Sequence, residues 1–397
     1  MTFRKKILYI HHDDGNSGAS RSLAFLLDKL DPEKYQAELN CIFSGPVLNL
    51  FEDKPVKLVI KRGIFPFHGS TVTGMTLNLF LRNFVRIPQT LFTSYIIIKK
   101  HKPDLIHLNS SSLFMVALVS KLISRKIKVI CHLREPLLKY SISAKIIKQM
   151  NYLLVDRFIA IDNYTGASMK TKNNIDIVYN AVNFNEYNPG IKSNVIREEL
   201  GLNDDDLIFL YLARITKSNG ALELLKVANK LTKDYPKFHF ILAGLKENQI
   251  GSYLKKITDQ AKDNPNIHLM KFRSNVPSLI ASSNILIVPF TQPHFARSIV
   301  EASAMGKPII GANVGGVNEL IINNKTGYLY NNDNELYDYC VKLGNNNTLQ
   351  FIMGNSAFEF AKTNFDNAIS SKRVFEIYDM LLGANSQLRA LNLKPRF

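Results

Sequence analysis

Residues 285–320 read ILIVPFTQPHFARSIVEASAMGKPIIGANVGGVNEL, and this stretch decides the fold. Ile285, Leu286, Ile287 and Val288 form a short apolar run stopped by Pro289, the pattern of a buried strand in a parallel sheet. The loop 290–296 follows, and a helix starts near Arg297 or Ser298. Ile299, Ala302 and Met305 sit at helical spacing, with Gly306 and Pro308 ending the helix. Pro308, Ile309 and Ile310 make a second strand. Gly315 and Gly316 then form a tight turn that opens another helix at Val317. Each loop falls at the carboxyl end of a strand, where open α/β sheets bind ligands. Two helix N-termini would face one crevice with unpaired backbone N–H groups, an arrangement suited to phosphate. Glu301, one turn into the first helix, either points into that crevice to accept hydrogen bonds from a sugar diol or stands solvated on an ordinary βαβ unit.

The stretch closely resembles the signature of family 4 glycosyltransferases, retaining enzymes of the two-domain GT-B architecture. That signature runs Glu-Gly-Phe-Gly-(Leu/Arg)-x-x-x-Glu-Ala-x-Ala-x-Gly-x-Pro-Val-Ile, then a Gly-Gly turn and a Glu. This chain carries Phe295, Arg297, Glu301, Ala302, Ala304, Gly306, Pro308, Ile309, Ile310, Gly315, Gly316 and Glu319 in order. It departs at the first Glu, where Pro293 stands, followed by His294. The resemblance implies an α/β fold of two Rossmann-like, doubly wound domains facing a central cleft. Residues 1–184 would form the acceptor-side domain and 190–370 the nucleotide-sugar domain, with a C-terminal helix, 371–397, crossing back to the first. It also implies donor contacts from His294, Phe295, Ala296, Arg297, Ser298 and Glu301.

A chain of 397 residues suits two domains, each able to bury a core, and 46% hydrophobic with 21% charged residues is globular rather than disordered. The formal charge is +17, and residues 1–190 carry 26 Lys and Arg against 14 Asp and Glu. Such a basic half could face nucleic acid, an anionic membrane or a phosphorylated acceptor, or reflect a Lys- and Asn-rich genome. No nucleic-acid-binding motif accompanies it. Cys41, Cys131 and Cys340 are far apart and suggest neither disulfides nor a zinc site. The apolar run after the basic start is too short for a signal peptide, and no stretch is long enough to span a bilayer. A cytoplasmic location is expected.

Along the first half, residues 6–12 read as a strand, followed by a loop containing Gly15 and Gly18 and a helix with Leu23, Leu26, Leu27 and Leu30 on one face. The loop is either a plain βα turn or a place where a ligand approaches the backbone. The resemblance places Gly18 in a Gly-rich loop between donor and acceptor. Residues 77–100 are apolar and basic, and Pro88 divides them into two helices. They form either a core helix with a solvated basic face or, as in family members, a membrane-docking surface. The helix expected over 140–155 has Lys145 and Lys148 on its polar side. Val129, Ile130, Cys131 and His132 form a strand whose end leads into Arg134 and Glu135. A lone His there could be structural, but the resemblance implies that His132 contacts the donor sugar. Arg134 and Glu135 are candidates for phosphate or acceptor contact. Asn180, Ala181, Val182 and Asn183 stand where the family shows Asn-Gly-Val-Asp, and 185–189 reads as the linker.

The second half opens with a strand over 207–212, then Arg214, Lys217, Asn219 and Gly220 before a helix from Ala221. Family members hold the donor diphosphate there with an Arg and a Lys. Arg214 and Gly220 match, while Asn219 occupies the Lys position and Lys217 is a possible substitute. Backbone groups near Lys271 and Phe272 would cradle the base.

The activity implied is transfer of a sugar from a nucleoside-diphosphate-sugar donor, retaining its anomeric configuration, with His132, Arg214 and Glu301 as catalytic residues. No metal or other cofactor is expected, and no Asp-x-Asp motif is present. The acceptor implied is a glycan on a lipid carrier, as in capsule or O-antigen assembly. Peripheral contact with the anionic inner membrane face is expected, and nucleic acid is not. The two departures, Pro293 and Asn219, keep a second reading open: a non-catalytic GT-B-like subunit that binds a nucleotide sugar or a partner enzyme. A nucleotide-sugar epimerase of the same architecture is the third.

Overall fold

The structure, a computed structural model, describes residues 4–15, 17–67, 77–139, 141–169, 174–246 and 250–383. The chain divides into two compact units, Met1–Asn180 with Asn367–Phe397, and Ala181–Asp366.

In the first unit the described residues form seven strands: β1 (Lys5–His11), β2 (Tyr35–Cys41), β3 (Lys57–Ile60), β4 (Leu105–Leu108), β5 (Lys128–Leu133), β6 (Arg157–Ala160) and β7 (Ile175–Ile177). All pair in parallel, in the order β3-β2-β1-β4-β5-β6-β7. Alternation along the strands sends Leu8, Ile10, Ile106, Leu108 and Val129 to one face. There they pack with apolar residues of the helices Ile87–His101, Phe114–Ile123 and Ile142–Leu154. Ile7, Tyr9, Leu105, Ile130 and Ile159 line the other face, under the helices Gly18–Asp28 and Asn367–Leu382.

The helix Asn367–Leu382 therefore completes the core of a unit begun more than 360 residues earlier. Val374, Ile377 and Tyr378 are buried in it. The Tyr378 hydroxyl donates to Tyr9 Oη at 3.2 Å and lies 2.6 Å from His107 Nδ1. Asp379 accepts from Tyr35 Oη at 2.6 Å and pairs with Lys34. The expected extension of this helix over 384–397 lies outside the described residues, as does Tyr140.

In the second unit β8 (Leu207–Leu212), β9 (Phe238–Leu245), β10 (Ile267–Lys271), β11 (Ile285–Val288), β12 (Ile309–Ala312) and β13 (Gly327–Tyr330) form a parallel sheet ordered β10-β9-β8-β11-β12-β13. Phe209 and Phe240 stack in its core with centroids 4.8 Å apart. Strand order reverses between β1 and β4 in one sheet and between β8 and β11 in the other. In a doubly wound sheet, a crevice opens outside the carboxyl ends at that point.

Three expectations need correction or refinement. No helix follows Gly316: Asn318 N–H donates to Val314 O in one turn, Thr326 N–H donates to Ile322 O in another, and the chain enters β13 at Gly327. Buried Val317, Leu320 and Ile321 pin this short connection to the core before a helix can propagate. The helix break in 77–100 falls at Arg86, between Leu77–Val85 and Ile87–His101. Pro88 lies in the first turn of the second helix, where its missing N–H costs nothing. Residues 185–189 pack within the second unit, with Tyr187 buried and Val182 N–H donating to Phe365 O at 2.9 Å.

Candidate functional site

In the first unit, polar residues gather at the carboxyl ends of strands around the reversal. His11 ends β1, Asn109 follows β4, Arg134 follows β5 and Asn180 follows β7. Arg134 Nε donates to Asn109 Oδ1 at 2.9 Å, and its Nη1 donates to Asn180 Oδ1 at 3.0 Å. Asn180 Oδ1 also accepts from Ser22 Oγ at 2.9 Å. Asn109 Nδ2 reaches His11 Nδ1 at 2.9 Å and donates to Ala19 O. His11 Nε2 lies 3.1 Å from Ser20 Oγ, which donates to Gly15 O at 2.8 Å. Burial pushes the His11 pKa down to about 3, so the ring is neutral.

Of the residues predicted here, Gly18 is the exposed first residue of its helix, which Ser17 caps by accepting from Ser20 N–H. Glu135 is exposed and Arg134 half-buried. His132 is enclosed: its ring lies 5.4 Å from that of His107, and neither ring nitrogen is exposed or hydrogen-bonded among the described residues. Burial, with the charge of Arg134 adding to it, holds His132 well below the usual histidine pKa. His11, Ser20 and Asn109 are not singled out by the sequence, and Asn180 is read there only as part of the stretch that closes the first domain. The available signal was a polar residue at the end of successive strands that are otherwise apolar.

In the second unit, two loops meet at the reversal. Gly220 follows Lys217–Asn219, a single 3-10 turn after β8, and has φ +70°. A Cβ there would fall 1.6 Å from the Pro289 carbonyl oxygen, so only glycine lets this loop touch the end of β11. Thr291 N–H donates to Ser218 O at 3.0 Å and Thr291 Oγ1 to Lys217 O at 2.8 Å, fastening the loops together. Arg214 is exposed, and its charge reaches His294. Its carbonyl accepts from both Tyr211 Oη and Asn219 Nδ2 at 2.8 Å.

Asn219 is therefore turned inward as a loop fastener, which corrects its expected place among the donor-binding side chains. A neutral amide can be buried against a carbonyl, where an ammonium would stay in water. The Lys217 side chain is exposed. His294 stacks on Phe290 at 4.1 Å, and its Nδ1 lies 2.9 Å from Gln292 O. Burial is the main cause holding its pKa below the usual value, and Arg214 adds to the effect.

The helix Arg297–Ala304 begins at Ala296 with no side chain capping its N-terminus. The second N-terminus expected, after Gly316, is absent; the helix Ala221–Asp234, which follows Gly220 and likewise has no side-chain cap, supplies one at the end of β8 instead. Ser298 is buried there and Phe295 is half-buried. Glu301 is also buried, and one of its carboxylate oxygens accepts from Arg297 Nε at 3.0 Å. Arg297 Nη2 donates to Ala181 O. Lys271 and Phe272 stand apart at the end of β10, two strands from β8. The Phe272 N–H is taken by Leu245 O at 2.8 Å, which removes one of the backbone groups expected to meet a base, and the residue is 64% exposed. All three cysteines are buried free thiols. Among the described residues, no group of three or more His, Cys, Asp or Glu is arranged to hold a metal ion.

Two all-parallel, doubly wound sheets are the GT-B class of architecture. The solved structure of Anabaena Alr3699/HepE in complex with UDP and glucose superposes with a TM-score of 0.77 at 19% identity, covering 95% of this chain and all of that one. Residues 192–358 match the family model described as "Glycosyl transferases group 1", and residues 53–186 match "Glycosyltransferase Family 4". The chain belongs to the family 4 type of GT-B glycosyltransferases. A glycosyltransferase of Methanocaldococcus jannaschii is 27% identical over 280 residues, 67% of this chain and 72% of the relative. The Escherichia coli UDP-Gal:alpha-D-GlcNAc-diphosphoundecaprenol alpha-1,3-galactosyltransferase is 23% identical over 342 residues, 79% of this chain and 80% of the relative.

Proposed function

We propose that this glycosyltransferase moves a sugar from a nucleoside-diphosphate donor to a glycan on a lipid carrier, with retention at the anomeric carbon and without a metal ion. The observation that carries the reading is the uncapped N-terminus of Arg297–Ala304, with the exposed Arg214 and the Arg297–Glu301 pair around it. Helix N–H groups and a guanidinium are preorganised donors for the charge that develops on a leaving diphosphate. The Glu301 carboxylate, oriented by Arg297, would accept from ribose hydroxyls. Strands lie about 4.8 Å apart, so β10 is roughly 10 Å from β8, a span that lets the base reach Phe272 while the diphosphate rests at Arg214. As the bond from the anomeric carbon to the phosphate oxygen breaks, that oxygen takes the acceptor hydroxyl proton, and the hydroxyl oxygen bonds to the anomeric carbon on the same face. This step needs no separate carboxylate base.

The donor assignment is tested by thermal shift with UDP-, GDP-, ADP- and dTDP-sugars, each with and without EDTA. At about 100 times its dissociation constant, a bound donor stabilises by about 2.7 kcal/mol. We expect one base series to shift the midpoint and the others to leave it unchanged. Silence across the panel, or a shift abolished by EDTA, would overturn the reading.

The membrane part rests on residues 77–96. Leu77 (72% exposed), Leu81, Phe84, Val85 (81%), Phe92 and Tyr95 stand in water alongside Arg82, Arg86 and the nearby Lys99 and Lys100. No helix among the described residues is long and apolar enough to cross a membrane. Apolar side chains with basic neighbours suit an anionic bilayer surface, as does the E. coli relative's named diphosphoundecaprenol substrate. The protein should sediment with vesicles containing acidic phospholipid, release with added salt, and lose binding in Phe84→Glu/Val85→Glu. Equal retention by the double variant would remove this surface from the proposal.

A further inference from the structure

Four hydrogen bonds in the first unit share one direction, and each direction is fixed by chemistry. An arginine only donates, so the Asn109 atom 2.9 Å from Arg134 Nε is the carbonyl oxygen. A backbone carbonyl only accepts, so the atom facing Ala19 O is the Asn109 NH₂ group. That NH₂ must also donate to His11 Nδ1, 2.9 Å away. With Nδ1 accepting, the proton of the neutral ring sits on Nε2 and is given to Ser20 Oγ at 3.1 Å. A backbone carbonyl only accepts, so the single Ser20 hydroxyl proton goes to Gly15 O at 2.8 Å, and the two lone pairs of Ser20 Oγ are left to accept from His11 Nε2 and Ser17 Oγ. The chain runs Arg134, Asn109, His11, Ser20, Gly15 with no bond reversed. It links the end of β5 to the loop before Gly18, which Arg134 itself does not touch in any of these bonds.

We propose that Arg134 is a positioning residue for the Gly15–Gly18 loop, acting through this one-way relay rather than by contact with substrate. The inference rests on the transferase reading only in assuming that this loop borders the reacting groups. His11 is the link that makes the relay directional. It is fully buried, and burial, with His12 and the charge of Arg134 adding to it, keeps it from carrying the second proton that would turn Nδ1 into a donor and expel Asn109. A serine and a histidine, neither exposed, thus transmit the placement of a guanidinium to a glycine carbonyl on another strand's loop. Loss of such placement by about 1 Å is enough to cost on the order of 10²-fold in rate.

The test is a double-mutant cycle on Arg134→Lys and Ser20→Ala, with two readouts that need no substrate. Each single variant is expected to lower kcat by about 10- to 100-fold, leave the donor KM within about threefold, and speed amide exchange at Gly15 and Ala19. The double variant should be no worse than the poorer single one, because one broken link already disables the relay. Multiplying losses would show that Arg134 and Ser20 act separately, with Arg134 in direct contact with substrate, and would overturn the proposal. Unchanged exchange at Gly15 in Arg134→Lys would overturn it equally. In the wild-type protein, ¹⁵N spectra of the histidine rings should show His11 with its proton on Nε2. A proton on Nδ1 would reverse the relay and defeat the proposal even if Arg134→Lys proved insoluble. A wild-type protein lacking transfer activity would defeat the functional reading but leave the tautomer and exchange results to be judged independently.

Discussion

Arg214→Ala is expected to lower kcat by about 10²–10³-fold, the usual cost of removing one preorganised donor from a developing negative charge. The side chain is exposed and the loop that carries it is held by other atoms. The Arg214 carbonyl accepts from Tyr211 and Asn219, and Gly220 rests against Pro289. The variant should therefore keep its folding stability within about 0.5 kcal/mol of the parent, as most exposed substitutions do. Arg214→Lys should recover only part of the rate, because an ammonium supplies charge without the two-pronged geometry a diphosphate accepts. Because Asn219 is committed to the backbone, no second cation at that position shares the load. Initial rates with the donor found by thermal shift measure the effect. A kcat for Arg214→Ala within about threefold of the parent would remove Arg214 from the transfer step.

Glu301→Ala should lose both turnover and stability. Its carboxylate is buried, bonded to a mostly buried Arg297 guanidinium, so deleting it strands a cation with little access to water. Breaking a buried pair by removing one partner costs about 3–5 kcal/mol. Part of that cost should be relieved here by the bond from Arg297 to Ala181 O. The sharper expectation is comparative. Arg297→Met/Glu301→Leu removes both charges and keeps the volume, and should melt higher than Glu301→Ala while transferring as poorly. Urea unfolding of the three proteins decides the matter. If Glu301→Ala is as stable as the parent, the pair carries no strain on removal and Glu301 is effectively solvated.

The elements that sequence conveyed well are those with a local cause. Ile285–Val288 is apolar throughout and ends at a proline, and Arg297–Ala304 follows with apolar residues three apart and a glycine beyond its end. Failures arose where a long-range partner decides. A Gly-Gly turn before Val317 reads locally as a helix start, but three buried side chains tie that connection down too quickly for one to form. Asn219 looks like a weakened lysine in the linear pattern; only the folded loop shows the Arg214 carbonyl that its amide holds. His132 stood out as the last polar residue of its strand. The structure encloses His132, leaves Arg134 two residues on half-buried and gathers His11, Asn109 and Asn180 around it, from positions up to 169 apart in sequence. No spacing rule covers such a cluster, although the order of a doubly wound sheet shows which strand ends would be neighbours.

The helix Asn367–Leu382 also has a meaning in time. A ribosome releases the strands β1 to β7 first and the helix that covers Tyr9 and His107 last, with the whole of Ala181–Asp366 made in between. At about 5–20 residues per second, that interval lasts roughly 10–40 s. Throughout it, the nascent first half carries an apolar sheet face that Gly18–Asp28 covers only in part, which aggregation and chaperones can both reach, while the inserted second half has every strand of its own sheet and can fold ahead of it. The second half to emerge is thus the first able to finish folding.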